Sequence, residues 1–172
     1  MKRYLAPMAW MMAAAAALTM TADLSAKEMA KIGEPAPSFA LTDVVTGETV
    51  SLADYKDKLV VVTWQSINCP WDKMRPGGGY QRVLSPLADE WAGKDVQFIA
   101  INSNKTESIE QVKAYVQKHN VPYPTLKDPG NVIADAYMAK TTPHFYVISK
   151  GDQKLIYQGG FEKVPTSPEK CG

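Results

Sequence analysis

Two cysteines and two histidines are the side chains of this 172-residue chain best suited to nucleophilic or metal chemistry. Cys69 stands in Ser66-Ile67-Asn68-Cys69-Pro70-Trp71, directly after the apolar run Leu59 to Trp64, so a thiol closes a buried strand. Cys171 is the second-to-last residue, which leaves Cys69 as the cysteine in the body of the domain. Thiol chemistry begins there, with a thiolate as the nucleophile. Two cysteines allow one disulfide, and the sequence leaves its formation open. His119 falls at the end of a helix, where its charge suits the helix dipole. His144 lies in a late strand, and one histidine near one cysteine does not make up a metal ligand set. Neither a metal nor a bound cofactor is expected.

The elements around Cys69 follow from hydrophobic period and turn residues. After Lys27 to Pro37, read as a polar link, Phe39 to Thr42 and Glu48 to Leu52 are two short extended runs separated by Thr46-Gly47, the pattern of a hairpin. Leu59 to Trp64 is continuous and valine-rich, as expected of a central strand covered on both faces. Arg75-Pro76-Gly77-Gly78-Gly79 interrupts any helix that starts at the cysteine. Tyr80, Val83, Leu84, Leu87 and Trp91 then recur at helical spacing up to Gly93, with a kink or a fresh start capped by Ser85 at Pro86.

Val96 to Ile101 reads as a second buried strand, and a helix runs from about Glu107 to His119 with Ile109, Val112 and Val116 on its buried face. Tyr123 to Leu126 is at most a short edge strand, Val132 to Met138 a short helix, and His144 to Ser149 pairs with Lys154 to Gln158 across Lys150-Gly151-Asp152. Strands alternating with helices before a closing hairpin give an α/β fold with a mixed sheet.

At the amino end, Lys2 and Arg3 precede a run from Leu5 to Met20 that is apolar apart from Pro7 and Thr19, the form of a secretory signal peptide cleaved near Ala26. An uncleaved anchor needs roughly 20 strongly apolar residues, and this run is short and alanine-rich. The organisation expected is a signal peptide over residues 1–26, a link over 27–37 and one domain over 38–172, exported to the periplasm or beyond the cell. Loss of Lys2, Arg3 and Asp23 leaves 17 basic and 17 acidic residues. A neutral chain with no basic cluster is not built for nucleic acid, and membrane contact is expected only through an uncleaved signal segment.

Taken together, Ile32 to Phe39, Leu59 to Trp64, Asn68-Cys69-Pro70-Trp71, Phe98 to Asn102 and Thr142-Pro143-His144-Phe145-Tyr146-Val147-Ile148 resemble the thioredoxin fold in its redoxin branch, the AhpC/TSA and peroxiredoxin-like proteins. The likeness spans about residues 32 to 161. It implies a cysteine at the amino end of the first core helix, matched by Cys69, and a cis proline facing it, matched by Pro143. Helix-end amides favour thiolate over thiol. The resemblance further implies that Ser66, three residues before the cysteine, hydrogen-bonds the reacting group. Thr142 and Pro143 would line the substrate cleft, and Trp71 would shape access to the thiol. Trp64 and Trp91 read as packing residues.

The departures from that pattern bear on activity. Asp72 stands where thioredoxins carry their second cysteine, so dithiol exchange within one motif is ruled out. Its charge opposes ionisation of Cys69, and Lys73 and Arg75 could offset it. Val62 replaces the peroxiredoxin proline, and the stretch Ala139 to Pro143 has no arginine, with Lys140 as a point charge in its place. Cys171 could resolve a sulfenic acid at Cys69, or be an exposed leftover thiol. Pro165, Ser167 and Pro168 oppose a final helix, which is expected to be missing.

The reading is an exported single-cysteine redoxin that acts on a peroxide or a disulfide and is restored by an external thiol. Its rivals are a non-catalytic thioredoxin-like binding module and a thiol-disulfide reductase with Cys171 as second thiol.

Overall fold

The structure is a computed structural model that describes residues 29–70 and 81–160. Seven strands form one mixed sheet: β1 (Ala40–Asp43), β2 (Thr49–Ser51), β3 (Leu59–Trp64), β4 (Val96–Asn102), β5 (Thr125–Lys127), β6 (His144–Ile148) and β7 (Leu155–Gly159). Their spatial order is β2-β1-β5-β4-β3-β6-β7. β3, β4 and β5 run parallel, and β6 and β7 follow antiparallel on one side. β1 and β2 complete the other side, also antiparallel. The helices are α1 (Gln81–Trp91), α2 (Ile109–Lys118) and α3 (Val132–Ala136), with a 3-10 turn at Leu52–Tyr55.

The valine run forms β3, flanked by β4 and β6, which explains its apolar residues on both faces. Val60, Val62 and Trp64 point to one face, where they cluster with Ile99, Ile101 and Tyr146 beneath Ala134 and Tyr137. The opposite face carries Phe98, Ala100 and Phe145, which meet Leu84 and Ala88 of α1. Each valine, leucine, isoleucine or phenylalanine side chain so removed from water contributes about 1.5–3 kcal/mol. α2 buries Val112 and Val116 against Val44. Its start is fixed by a capping box in which Ser108 and Gln111 each bond the other's backbone amide.

Several expectations are corrected. β5 is an interior strand rather than an edge, because β1 pairs onto its outer side through Thr42 and Asp43. Ile109, the first residue of α2, is exposed, while Val112 and Val116 are buried as expected. Trp91 is also exposed and lies under Lys94, with the ammonium 4.6 Å from the ring centre. The helix passes through Pro86 without a fresh start, so Ser85 is an interior helical residue rather than a cap. Gly93 closes it at φ +75°, a conformation that favours glycine.

The segment read as a link is partly built into the domain. Gly33 N donates to Leu155 O, Leu155 N to Glu34 O, and Ala36 N to Gln153 O, which lays residues 33–36 beside the closing hairpin. The final-helix expectation, the signal segment, Trp71, Asp72 and Cys171 lie outside the described residues.

Candidate functional site

The site sits at the carboxyl ends of β3, β4 and β5, where the parallel strands release their chains into loops. β3 pairs antiparallel with β6 up to Trp64 opposite His144, so the turn leaving β3 and the turn entering β6 emerge side by side. The first turn is closed by Cys69 N donating to Ser66 O at 3.0 Å, and Pro70 is the first helical residue beyond it. Proline is well suited to that place because its missing N–H would find no partner in a first helical turn. In the second turn the Thr142–Pro143 bond is cis, as expected. Cys69 Sγ donates to Thr142 O at 3.0 Å, and Cys69 is only 7% exposed. The thiol is therefore held against the backbone of the facing turn.

The turn that precedes Cys69 rests on a buried polar network centred on Glu107, in the loop between β4 and α2 and 1% exposed. Ser66 Oγ donates to Glu107 Oε1 at 2.5 Å, Asn68 N at 3.0 Å, and Asn68 Nδ2 and Asn104 Nδ2 each at 3.1 Å. Ile67 N donates to Glu107 Oε2 at 3.1 Å, and Asn102 Nδ2 to the same oxygen at 2.6 Å. Burial works to raise the carboxyl pKa, but these donors outweigh it and hold Glu107 below the usual glutamate value.

Lys127, at the end of β5, supplies the positive charge. Its Nζ donates to Asn102 Oδ1 at 2.6 Å, Asn104 O at 2.7 Å and Glu107 O at 2.6 Å, one acceptor for each of its protons. Burial lowers the lysine's pKa, and the charges of Glu107 and Asp128 work against that shift. A second chain runs beside the first. Trp64 Nε1 donates to Ser103 Oγ, which donates to Asp128 Oδ2, and Asp128 accepts the Ile133 and Ala134 amides at the start of α3.

His144 belongs to a different face. Its Nδ1 lies 3.0 Å from Tyr146 Oη, whose own proton goes to Tyr137 O, so the ring proton is assigned to Nδ1. Burial lowers the His144 pKa, which favours the neutral ring. The structure thus gathers Cys69, Ser66, Thr142 and Pro143 at one place and turns His144 onto Tyr146. Lys140 is exposed. Among the described residues no group of three or more histidine, cysteine or acidic side chains could hold a metal.

Sequence reading missed Glu107, taking it for the first residue of a helix, and missed Lys127 and the two asparagines. A signal was present. Asn102, Asn104, Glu107 and Lys127 are polar residues at the carboxyl ends of two parallel apolar strands, on the same sheet edge as Cys69.

Residues 32–157 match the AhpC/TSA family. The chain belongs to that family. Among its relatives, a thiol-disulfide oxidoreductase ResA of Bacillus cereus is 32% identical over 131 residues, covering 76% of this chain and 70% of the relative. Of the solved structures, an uncharacterized conserved protein from Geobacillus kaustophilus is 34% identical with a TM-score of 0.69, over 83% of this chain and 79% of that one. A thioredoxin domain of a thiol-disulfide oxidoreductase from Bacteroides vulgatus shares the fold at a TM-score of 0.63 and 18% identity, over 74% of this chain and 87% of that one. This AhpC/TSA chain therefore has the thioredoxin-like fold that its sequence resembles.

Proposed function

We propose that this protein is an exported thiol-disulfide oxidoreductase in which Cys69 is the single attacking thiol and a polypeptide disulfide is the substrate. The observation that carries the reading is the 3.0 Å contact of Cys69 Sγ with Thr142 O, because a chain laid along the turn at Thr142 and Pro143 brings its sulfur to the nucleophile. The relatives named thiol-disulfide oxidoreductase support it. Export rests on the signal-like segment at the amino end.

The reaction runs by exchange. Cys69 thiolate attacks one sulfur of the substrate disulfide, a bond forms between the two, and the second substrate sulfur leaves as thiolate and takes a proton from solvent. An external thiolate then attacks Cys69 Sγ and releases the first substrate sulfur as a thiol. A second external thiol attacks the resulting mixed disulfide and frees Cys69. The substrate disulfide is reduced to two thiols while two external thiols are oxidised to one disulfide.

Disulfide is favoured over peroxide by the state of Ser66. Its proton is given to Glu107 Oε1, and its oxygen accepts from Asn104 Nδ2 at 3.2 Å. A hydroxyl so engaged has no proton left to stabilise a departing peroxide oxygen. Ser66 is then a residue that shapes the turn rather than one that touches substrate.

The test is mass spectrometry of the mature protein exposed to a peptide disulfide without reductant. A mixed disulfide on Cys69 that glutathione releases is expected. An unmodified Cys69 that instead consumes hydrogen peroxide would overturn the assignment.

A further inference from the structure

We infer that the Thr142 carbonyl gates Cys69: it holds the resting thiol protonated, and a polypeptide substrate opens the site by putting a backbone N–H in the thiol's place. The inference rests on the proposed disulfide exchange at Cys69 and adds what that site selects for. A carbonyl oxygen only accepts hydrogen bonds, so the 3.0 Å contact from Cys69 Sγ to Thr142 O requires a proton on the sulfur. A hydrogen bond made by the neutral form of a group disfavours its charged form, and the thiolate is the form that attacks.

The turn around Cys69 offers the thiolate no compensation. Cys69 N donates to Ser66 O, while Ile67 N and Asn68 N donate to Glu107. Pro70 has no N–H to give. At 7% exposure, water also has little access to the side chain.

The facing turn is open to a substrate. Among the described residues Cys69 Sγ is the one donor to Thr142 O, and Thr142 N donates to no acceptor. Thr142 is half-buried and follows the exposed Lys140 and Thr141, so an extended chain can reach its backbone. A thiol is a weak donor, and a peptide N–H that replaces it at Thr142 O makes the stronger bond. Freed of its acceptor, Cys69 gives its proton to solvent and its sulfur bonds the substrate sulfur. The departing thiolate takes up a proton. A disulfide that carries no peptide N–H does not displace the thiol and meets it in its resting state.

Site-resolved mass spectrometry of the full chain tests the gate by following Cys69 with disulfides of 2-mercaptoethanol. The compounds are a short blocked peptide with a central cysteine, the same peptide N-methylated at each amide flanking the cysteine in turn, and bis(2-hydroxyethyl) disulfide. Each rate is divided by that of glutathione with the same compound, which cancels intrinsic reactivity. The unmethylated peptide should exceed bis(2-hydroxyethyl) disulfide by about tenfold or more, and one of the methylations should remove most of that preference. Equal relative rates, or a preference that survives both methylations, overturn the inference.

The resting state has its own readout in infrared spectroscopy. The S–H stretch that is lost in Cys69→Ser should lie below that of a non-bonded thiol, and an unshifted band, or no band at neutral pH, overturns the inference as well. Failure of the disulfide assignment would appear separately, as no mixed disulfide on Cys69 with any of the compounds, which removes the gate with it.

Discussion

Ser66 Oγ donates to Glu107 Oε1 at 2.5 Å across 41 residues of sequence, tying the turn that carries Cys69 to the loop between β4 and α2. The bond settles where the serine proton is, and through it what the turn can offer an incoming molecule. Replacing Ser66 by alanine removes a donor from a buried carboxylate, at a cost of about 1–3 kcal/mol. Chemical denaturation should show that loss. Insulin reduction by the variant should stay within about twofold of the parent, as for a group that does not act in the transition state. A collapse of insulin reduction would mean that the hydroxyl serves the reaction directly.

Lys127→Met leaves Asn102 Oδ1, Asn104 O and Glu107 O without their shared donor. Leaving buried acceptors without a donor costs about 1–3 kcal/mol. Urea unfolding of the variant against the parent measures it, and a loss below about 1 kcal/mol would show a solvated, dispensable lysine.

Acid sensitivity follows from the same network. Glu107 has its folded-state pKa below the ordinary 4.5 that it regains on unfolding. Between those two values the unfolded chain binds more protons, so stability falls as pH falls. Its contribution is fully present above 4.5 and is lost as the pH drops through the folded value. Unfolding free energies at stepped pH should show this decline in the parent and a shallower one in Glu107→Gln.

His144 lies next to Pro143 in sequence yet bonds Tyr146. Replacement by phenylalanine should cost about 1 kcal/mol from the lost hydrogen bond. Insulin reduction should stay within about twofold of the parent. A larger drop in initial rate would place the imidazole in the reaction.

The sheet was legible because its interior strands are valine- and isoleucine-rich and its turns carry glycine or proline in characteristic places, as at Gly47, Gly93 and Gly151. β5 was misplaced because three residues give too short a pattern to reveal which neighbours cover them. Cys69 and Pro143 could be placed by resemblance, since each sits at a fixed point of a repeated strand and turn order. Glu107 and Lys127 could not. Their meaning comes from a meeting of three loops distant in sequence, and a glutamate just before a helix reads locally as a solvent-facing charge. Ile109 and Trp91, the first residue of α2 and the last of α1, were misread because a helical period cannot tell which terminal residues the neighbouring elements leave uncovered.

Cys69, set against Thr142, is proposed to reduce a polypeptide disulfide. Insulin reduction by the protein with glutathione in excess, compared with Cys69→Ser, tests this. The parent should accelerate the reaction, and the variant should fall to the rate of glutathione alone. Equal rates for parent and variant would contradict it.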